Sequence, residues 1–183
     1  MKKLIFLLVF LITIQSQSQT YIKVNALTAL VAVPNVGIET SIGKKATFQV
    51  DVLASFWKSI NSLPAQFVTV TPEYRYHFNE KFNGFYTGVH VGGSIYKVSK
   101  GVHRPENQYE KGVGYMIGAT IGYQKEISDK ILIELFLGGG THQGFYKGYN
   151  ISTGERYDTA EKYNKSGEWL PYRGGVMISY RID

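Results

Sequence analysis

The stretch Val113-Gly-Tyr-Met-Ile-Gly-Ala-Thr-Ile-Gly-Tyr-Gln124 decides the fold class. Its odd positions carry Val113, Tyr115, Ile117, Ala119, Ile121 and Tyr123, and its even positions carry Gly114, Met116, Gly118, Thr120, Gly122 and Gln124. Successive side chains of a strand point to opposite faces, so this segment has one apolar face and one that is small or polar. The same period of two recurs outward in both directions, and no helical stripe persists beyond two turns. Thr47 to Trp57 sets Phe48, Val50, Val52, Ala54 and Phe56 against Gln49, Asp51 and Ser55. Val36, Ile38, Thr40 and Ile42 alternate with Gly37, Glu39 and Ser41, and Val68, Val70, Tyr74, Tyr76 and Phe78 with Thr69, Thr71, Glu73, Arg75 and His77. Four more strands follow over residues 21–31, 83–97, 130–142 and 168–182, which makes eight.

The connections alternate in length. Gly43 to Ala46, Asn79 to Phe82 and Ser128 to Lys130 read as tight turns, and Lys58 to Ala65, Val98 to Lys111 and Gly144 to Gly167 as long polar loops, with Ala32 to Asn35 an unusually short first loop. Short turns at one end and longer loops at the other describe an all-β, eight-stranded antiparallel up-and-down transmembrane β-barrel, with the turns in the periplasm and the loops outside. Pro72 falls mid-strand, where it removes a ladder donor, and a β-bulge is the expected accommodation.

A membrane barrel turns its apolar face to lipid and lines its interior with polar groups, the inverse of a soluble barrel. Here the polar face collects Glu39, Asp51, Glu73, Arg75, Glu134, Arg173 and Arg181. An eight-stranded interior is just wide enough to be filled by side chains, so charges of both signs predict a paired plug and no pore. Tyr76, Phe78, Tyr123 and Tyr180 near the turn ends, and Phe56, Tyr96, Tyr115 and Tyr172 near the loop ends, predict two aromatic girdles at the membrane interfaces.

Residues 1–19 place Lys2 and Lys3 before the apolar run Leu4 to Ile14 and the polar stretch Gln15 to Gln19, the layout of a secretory signal peptide. Residues 20–183 are then the barrel domain, and the bacterial cell outer membrane is the expected location. Loss of Lys2 and Lys3 lowers the formal charge from +6 to +4. The remaining Lys and Arg are scattered singly, so nucleic acid is not an expected partner. The chain has no cysteine, which excludes a lipoprotein anchor, disulfides and Cys-based metal or catalytic chemistry.

Thr71-Pro-Glu-Tyr-Arg-Tyr76, Phe82-Asn-Gly-Phe-Tyr-Thr-Gly-Val-His-Val-Gly-Gly93 and Pro34-Asn-Val-Gly-Ile-Glu39 with Gly43-Lys-Lys45 resemble a family of uncharacterised small outer-membrane β-barrel proteins found mainly in Bacteroidetes. The resemblance covers roughly residues 24 to 182. It implies the barrel architecture and the outer membrane, makes Pro72 part of a shared pattern, and implies no reaction or ligand.

Catalytic chemistry has few candidates. His90 and His142 face inward, with Ser94 and Glu134 on the same face of their strands, and interior packing is the favoured reading over catalysis. Gly138-Gly-Gly140 and Gly92-Gly93 lack a P-loop lysine and a following helix, and read as sites of close packing. Tyr146, Tyr149, Tyr157 and Tyr163 in the last loop form a candidate recognition surface. The expectation is a non-enzymatic structural or interaction protein of the cell envelope, without cofactor or metal, meeting outer-membrane lipid and candidate envelope proteins. An envelope-lipid-modifying enzyme is the alternative, and a soluble periplasmic ligand-binding barrel a further one.

Overall fold

The structure is a computed structural model that describes residues 19–60, 63–99, 107–157 and 162–183. The expected signal peptide lies, apart from Gln19, outside the described residues. Eight strands follow in chain order: β1 (Thr20–Asn25), β2 (Asn35–Ser41), β3 (Ala46–Ile60), β4 (Leu63–His77), β5 (Gly84–Val98), β6 (Gln108–Ser128), β7 (Ile131–Asn150) and β8 (Asn164–Arg181). Each pairs antiparallel with its sequence neighbours, and β1 also pairs with β8, Tyr21 standing opposite Arg181, so the sheet closes into a ring. Closure leaves most strands without a free edge, which is the structural answer to the unpaired N–H and C=O groups that an open sheet would carry. Among the described residues the sole helix is α1 (Ala26–Leu30), far too short to cross a membrane.

Alternation assigns the faces through most of the ring. Lys23, Glu39, Gln49, Glu73, Arg75, Gln124 and Glu134 are buried inside, while Ile22, Ile38, Phe48, Val89, Ile121 and Leu135 stand exposed outside. The normal distribution of a water-soluble protein is inverted.

Several expectations need correction. A strand was expected to run through residue 31, but β1 stops at Asn25, whose carboxamide oxygen accepts from Leu27 N at 3.2 Å and Thr28 N at 3.4 Å and so caps α1. The strands at the loop end are longer than the hydropathy pattern predicts. β3 and β4 pair up to Ile60↔Leu63, β6 begins at Gln108, and β7 runs to Asn150, so many of the expected loop residues belong to strands. The ladder continues there while apolar and polar residues no longer alternate cleanly, so the hydrophobic signal fades before the strand ends.

Pro72 introduces no bulge. It stays in register opposite Val50, and the β4–β5 pairing resumes from Val70↔Gly93 to Glu73↔His90 without a slip. The lost donor is absorbed by a local opening of one ladder. A bulge lies instead in β8, where the register shifts between Gly138↔Arg173 and Gly140↔Leu170, so that Pro171 and Tyr172 together oppose Gly139, and the register also shifts near strand ends between Trp57 and Ile60 and between Glu126 and Ser128. Three residues beyond Tyr172, Gly175 has φ +147, a backbone conformation that suits glycine, and a Cβ there would strike the Asn25 side chain.

That bulge reverses the inward parity of β8, so Tyr172 and Leu170 line the interior. Tyr96, on the same face of β5 as His90 and Ser94, is also buried inside. The expected loop-end girdle therefore loses Tyr96 and Tyr172 and keeps Phe56 and Tyr115, while Tyr76, Phe78, Tyr123 and Tyr180 at the turn end all face outward.

Candidate functional site

Three layers fill the interior of the ring. At the turn end Tyr21, Phe82 and Leu132 pack together, with the Tyr21 and Phe82 rings 4.7 Å apart. Phe82 lies within the β4–β5 turn with φ 63, unusual for a bulky residue, and the turn conformation carries its ring into the ring of strands, where none of it is exposed.

The second layer is a network of ions. The Lys23 ammonium donates to Glu39 Oε2 at 2.6 Å, to Gln49 Oε1 at 2.7 Å and to Glu134, which uses all three of its N–H bonds. The Arg75 guanidinium donates to Glu39 and Glu73, each at 3.0 Å, and to Glu134 at 3.2 Å, and lies 4.6 Å above the centre of the Tyr86 ring. Gln124 Nε2 donates to Glu39 at 2.9 Å and Glu134 at 3.0 Å, and the Tyr86 hydroxyl donates to Glu134 at 2.5 Å. Arg173 extends the network upward, donating to Asp51 at 2.6 Å and pairing with Glu73 at 3.1 Å. Asn35 and Gln49 add amide bonds to Asp51, both at 3.1 Å. Three cations thus face four carboxylates, and every carboxylate has a cationic neighbour, the condition on which buried charge is tolerated.

Six of the seven charged residues expected inside converge here: Glu39, Asp51, Glu73, Arg75, Glu134 and Arg173. Arg181 does not. It lies at the end of β8, partly exposed, with Nε donating to Asp183 at 2.7 Å, because the strand leaves the ring at that point. Lys23 and Tyr86, central to the network, were missed from the expected set. The signal for Lys23 was present in its place between outward Ile22 and Val24.

The third layer is a cavity of about 330 Å³ above the ions. Asp51, Asn35 and Arg173 lie at its floor, Leu53, Phe67, Met116 and Leu170 along its walls, and Ser94, Tyr96, His142 and Glu168 on the loop side. Ser94 Oγ is 3.0 Å from His142 Nε2. His90 lies below, bonded at 2.7 Å to the Tyr172 hydroxyl and at 3.2 Å to Thr120 Oγ1. Ser94 and His142 therefore meet, but Glu134 belongs to the ion network and joins neither histidine. Among the described residues no group of acidic or histidine side chains is placed to hold a metal ion.

The four tyrosines expected as a recognition surface are not one set. Tyr146 is buried inside β7, and Tyr149 stacks on Tyr109 of β6 at 5.4 Å. Tyr157 folds over Gly148, and only Tyr163 is largely exposed, with Lys147 Nζ 5.1 Å from its ring centre. Extension of β7 through Asn150 fixes the first two on opposite faces of a strand.

The family described as protein of unknown function (DUF3575) matches residues 3–182, nearly the whole chain. The chain belongs to that family. No curated protein and no solved structure matches it. In this DUF3575 member, the ion network, the cavity and the two faces of the ring are the features that bear on activity.

Proposed function

We propose that this DUF3575 protein is an outer-membrane β-barrel with short periplasmic turns, a plugged interior, and a non-enzymatic structural or interaction role in the cell envelope. The observation that carries this reading is the inversion of its faces: a band of exposed Ile, Val, Leu and aromatic residues outside, and a hydrogen-bonded ion network inside. In water such a band would be a large apolar patch, of the kind that marks a partner or a membrane. In lipid it is the required exterior, and a closed sheet satisfies its backbone groups internally. The same inversion weighs against a soluble ligand-carrying barrel.

Lipid is then the first partner, and envelope proteins that meet the connections after β5 and β7 are the second. Fractionation of cells that express the full chain tests the membrane part. A band in the outer-membrane fraction that changes mobility on heating is expected, and a wholly soluble protein would refute it. A tag between residues 151 and 154, followed by cross-linking in cells, tests the interaction part.

The Ser94–His142 pair favours an envelope-lipid-modifying enzyme as the second reading, because a hydroxyl beside an imidazole is the elementary unit of acyl transfer. Unchanged lipid A in mass spectra after deletion and after overexpression would remove it.

A further inference from the structure

The wall of the ring is uneven in height. β1 has six residues and β2 seven, beside fifteen in β3 and eighteen in β8. The β2–β3 register ends at Asn35↔Leu53 and the β1–β8 register at Asn25↔Met177. Beyond those points, among the described residues, β3 has β4 as its only strand partner and β8 has β7. Residues 55–60 of β3 alone amount to about 20 Å of strand at roughly 3.3 Å per residue. The result is a notch in the wall between β3 and β8.

α1 and the link after it occupy the lower part of this notch. Asn25 Nδ2 ties them to Gly174 O at 3.1 Å on the β8 side, and on the β3 side Trp57 Nε1 donates to Val31 O at 3.1 Å and Ala54 N to Pro34 O at 2.9 Å. Leu27, Leu30 and Val31 point outward and are exposed. The notch begins at the upper limit of the apolar band: Ala54 stands opposite Val68, Val68 opposite Ile95 and Ile95 opposite Val113, while Lys97 and Lys111 come next toward the loops. Phe56, Trp57 and Trp169 are exposed on its two sides.

Elements bordering the notch supply the near wall of the cavity, through Thr28, Leu53 and Leu170. Leu53, Phe67, Met116 and Leu170 make its walls apolar, between the ionic floor and the polar groups on the loop side. Polar cavities take water, whereas apolar ones stay dry or accept an apolar guest. A volume of about 330 Å³ is at the low end of the range for small-molecule sites, roughly 300–1,000 Å³, which suits one hydrocarbon chain and not two.

We propose that the cavity binds a monoacyl phospholipid. Its acyl chain enters sideways through the notch above α1 and lies among Leu53, Phe67, Met116 and Leu170. Its polar head remains at the loop side, beside Ser94, His142 and Glu168. The lipid source rests on the membrane reading above, but the cavity does not.

The test is native mass spectrometry of the full-length folded protein, released from a non-acyl detergent after incubation with palmitoyl lysophosphatidylcholine. A one-to-one adduct is expected. Met116→Trp and Leu53→Trp fill the cavity from different walls, and each should weaken the adduct at least tenfold, while the outward-facing Ile117→Trp leaves it unchanged. A heat-dependent mobility shift verifies folding of each variant, and two filling variants on separate strands guard against the failure of either. Equal retention by wild type and a folded filling variant would overturn the site. So would the absence of an adduct from a protein that fractionates to the outer membrane, and that outcome leaves the membrane reading intact. Palmitate or dipalmitoyl phosphatidylcholine held more tightly than the lysolipid would overturn the monoacyl phospholipid as occupant.

Discussion

Lys23 has no exposed surface, and each of its three N–H bonds is taken by Glu39, Gln49 or Glu134. Replacing it by methionine keeps much of the volume but leaves Glu39 and Glu134 sharing Arg75 as their only close buried cation. Breaking a buried ion pair from one side costs about 3–5 kcal/mol, because the remaining charge keeps its desolvation penalty and loses its compensation. Lys23→Met should therefore lower the unfolding free energy in urea, measured in detergent or vesicles, by about that amount. Adding Glu134→Gln should recover part of the loss, since the excess negative charge leaves with its partner. A single variant as stable as wild type would show that the network contributes little to holding the ring together.

β8 shows how far alternation can be read from sequence and where it stops. From Met177 to Tyr180 the parity is as expected, with Ile178 and Tyr180 outside and Met177 inside. The bulge at Pro171 and Tyr172 then shifts the parity by one, so Glu168 and Leu170 line the cavity while Trp169 stands outside. The sequence around it, Tyr172-Arg-Gly-Gly175, carries no hydropathy contrast that would reveal the slip, and its partner Gly138-Gly-Gly140 offers none either. Bulges are set by pairing with a neighbouring strand, which a pattern along one chain does not contain. Lys23, by contrast, was legible between two outward aliphatics, and so was the convergence of Glu39, Asp51, Glu73, Arg75 and Glu134. The absence of cysteine makes the reversal easy to measure by single-cysteine labelling. Cysteines at Ile178 and Trp169 should react at least tenfold faster with a membrane-soluble maleimide than those at Met177 and Glu168. A strand without the bulge would place Glu168 and Ile178 on one face, and equal rates at those two positions would contradict the register.

For the molecule as a whole, the three interior layers act in series. The Tyr21–Phe82–Leu132 seal closes the turn end, the ion network spans the middle, and only the layer above them holds a cavity. Water or ions crossing the ring would have to displace both lower layers, and the ion network is cross-linked between strands: Glu39 and Glu134 each meet Lys23, Arg75 and Gln124, residues on three further strands. Anything in the cavity therefore exchanges with the loop side and the notch and not with the turn side. In planar bilayers the protein should give no conductance steps. Phe82→Ala alone should remain silent, because the ions below the cavity still block the path. Phe82→Ala combined with Lys23→Ala and Arg75→Ala should open one if the variant still folds, since removing two of the three cations leaves a lumen with an excess of carboxylates that must hydrate to stay charged. That lumen would select cations. Steps from the unaltered protein, or from Phe82→Ala by itself, would mean that the middle layer opens, and the cavity would then be the mouth of a channel and not a closed binding site.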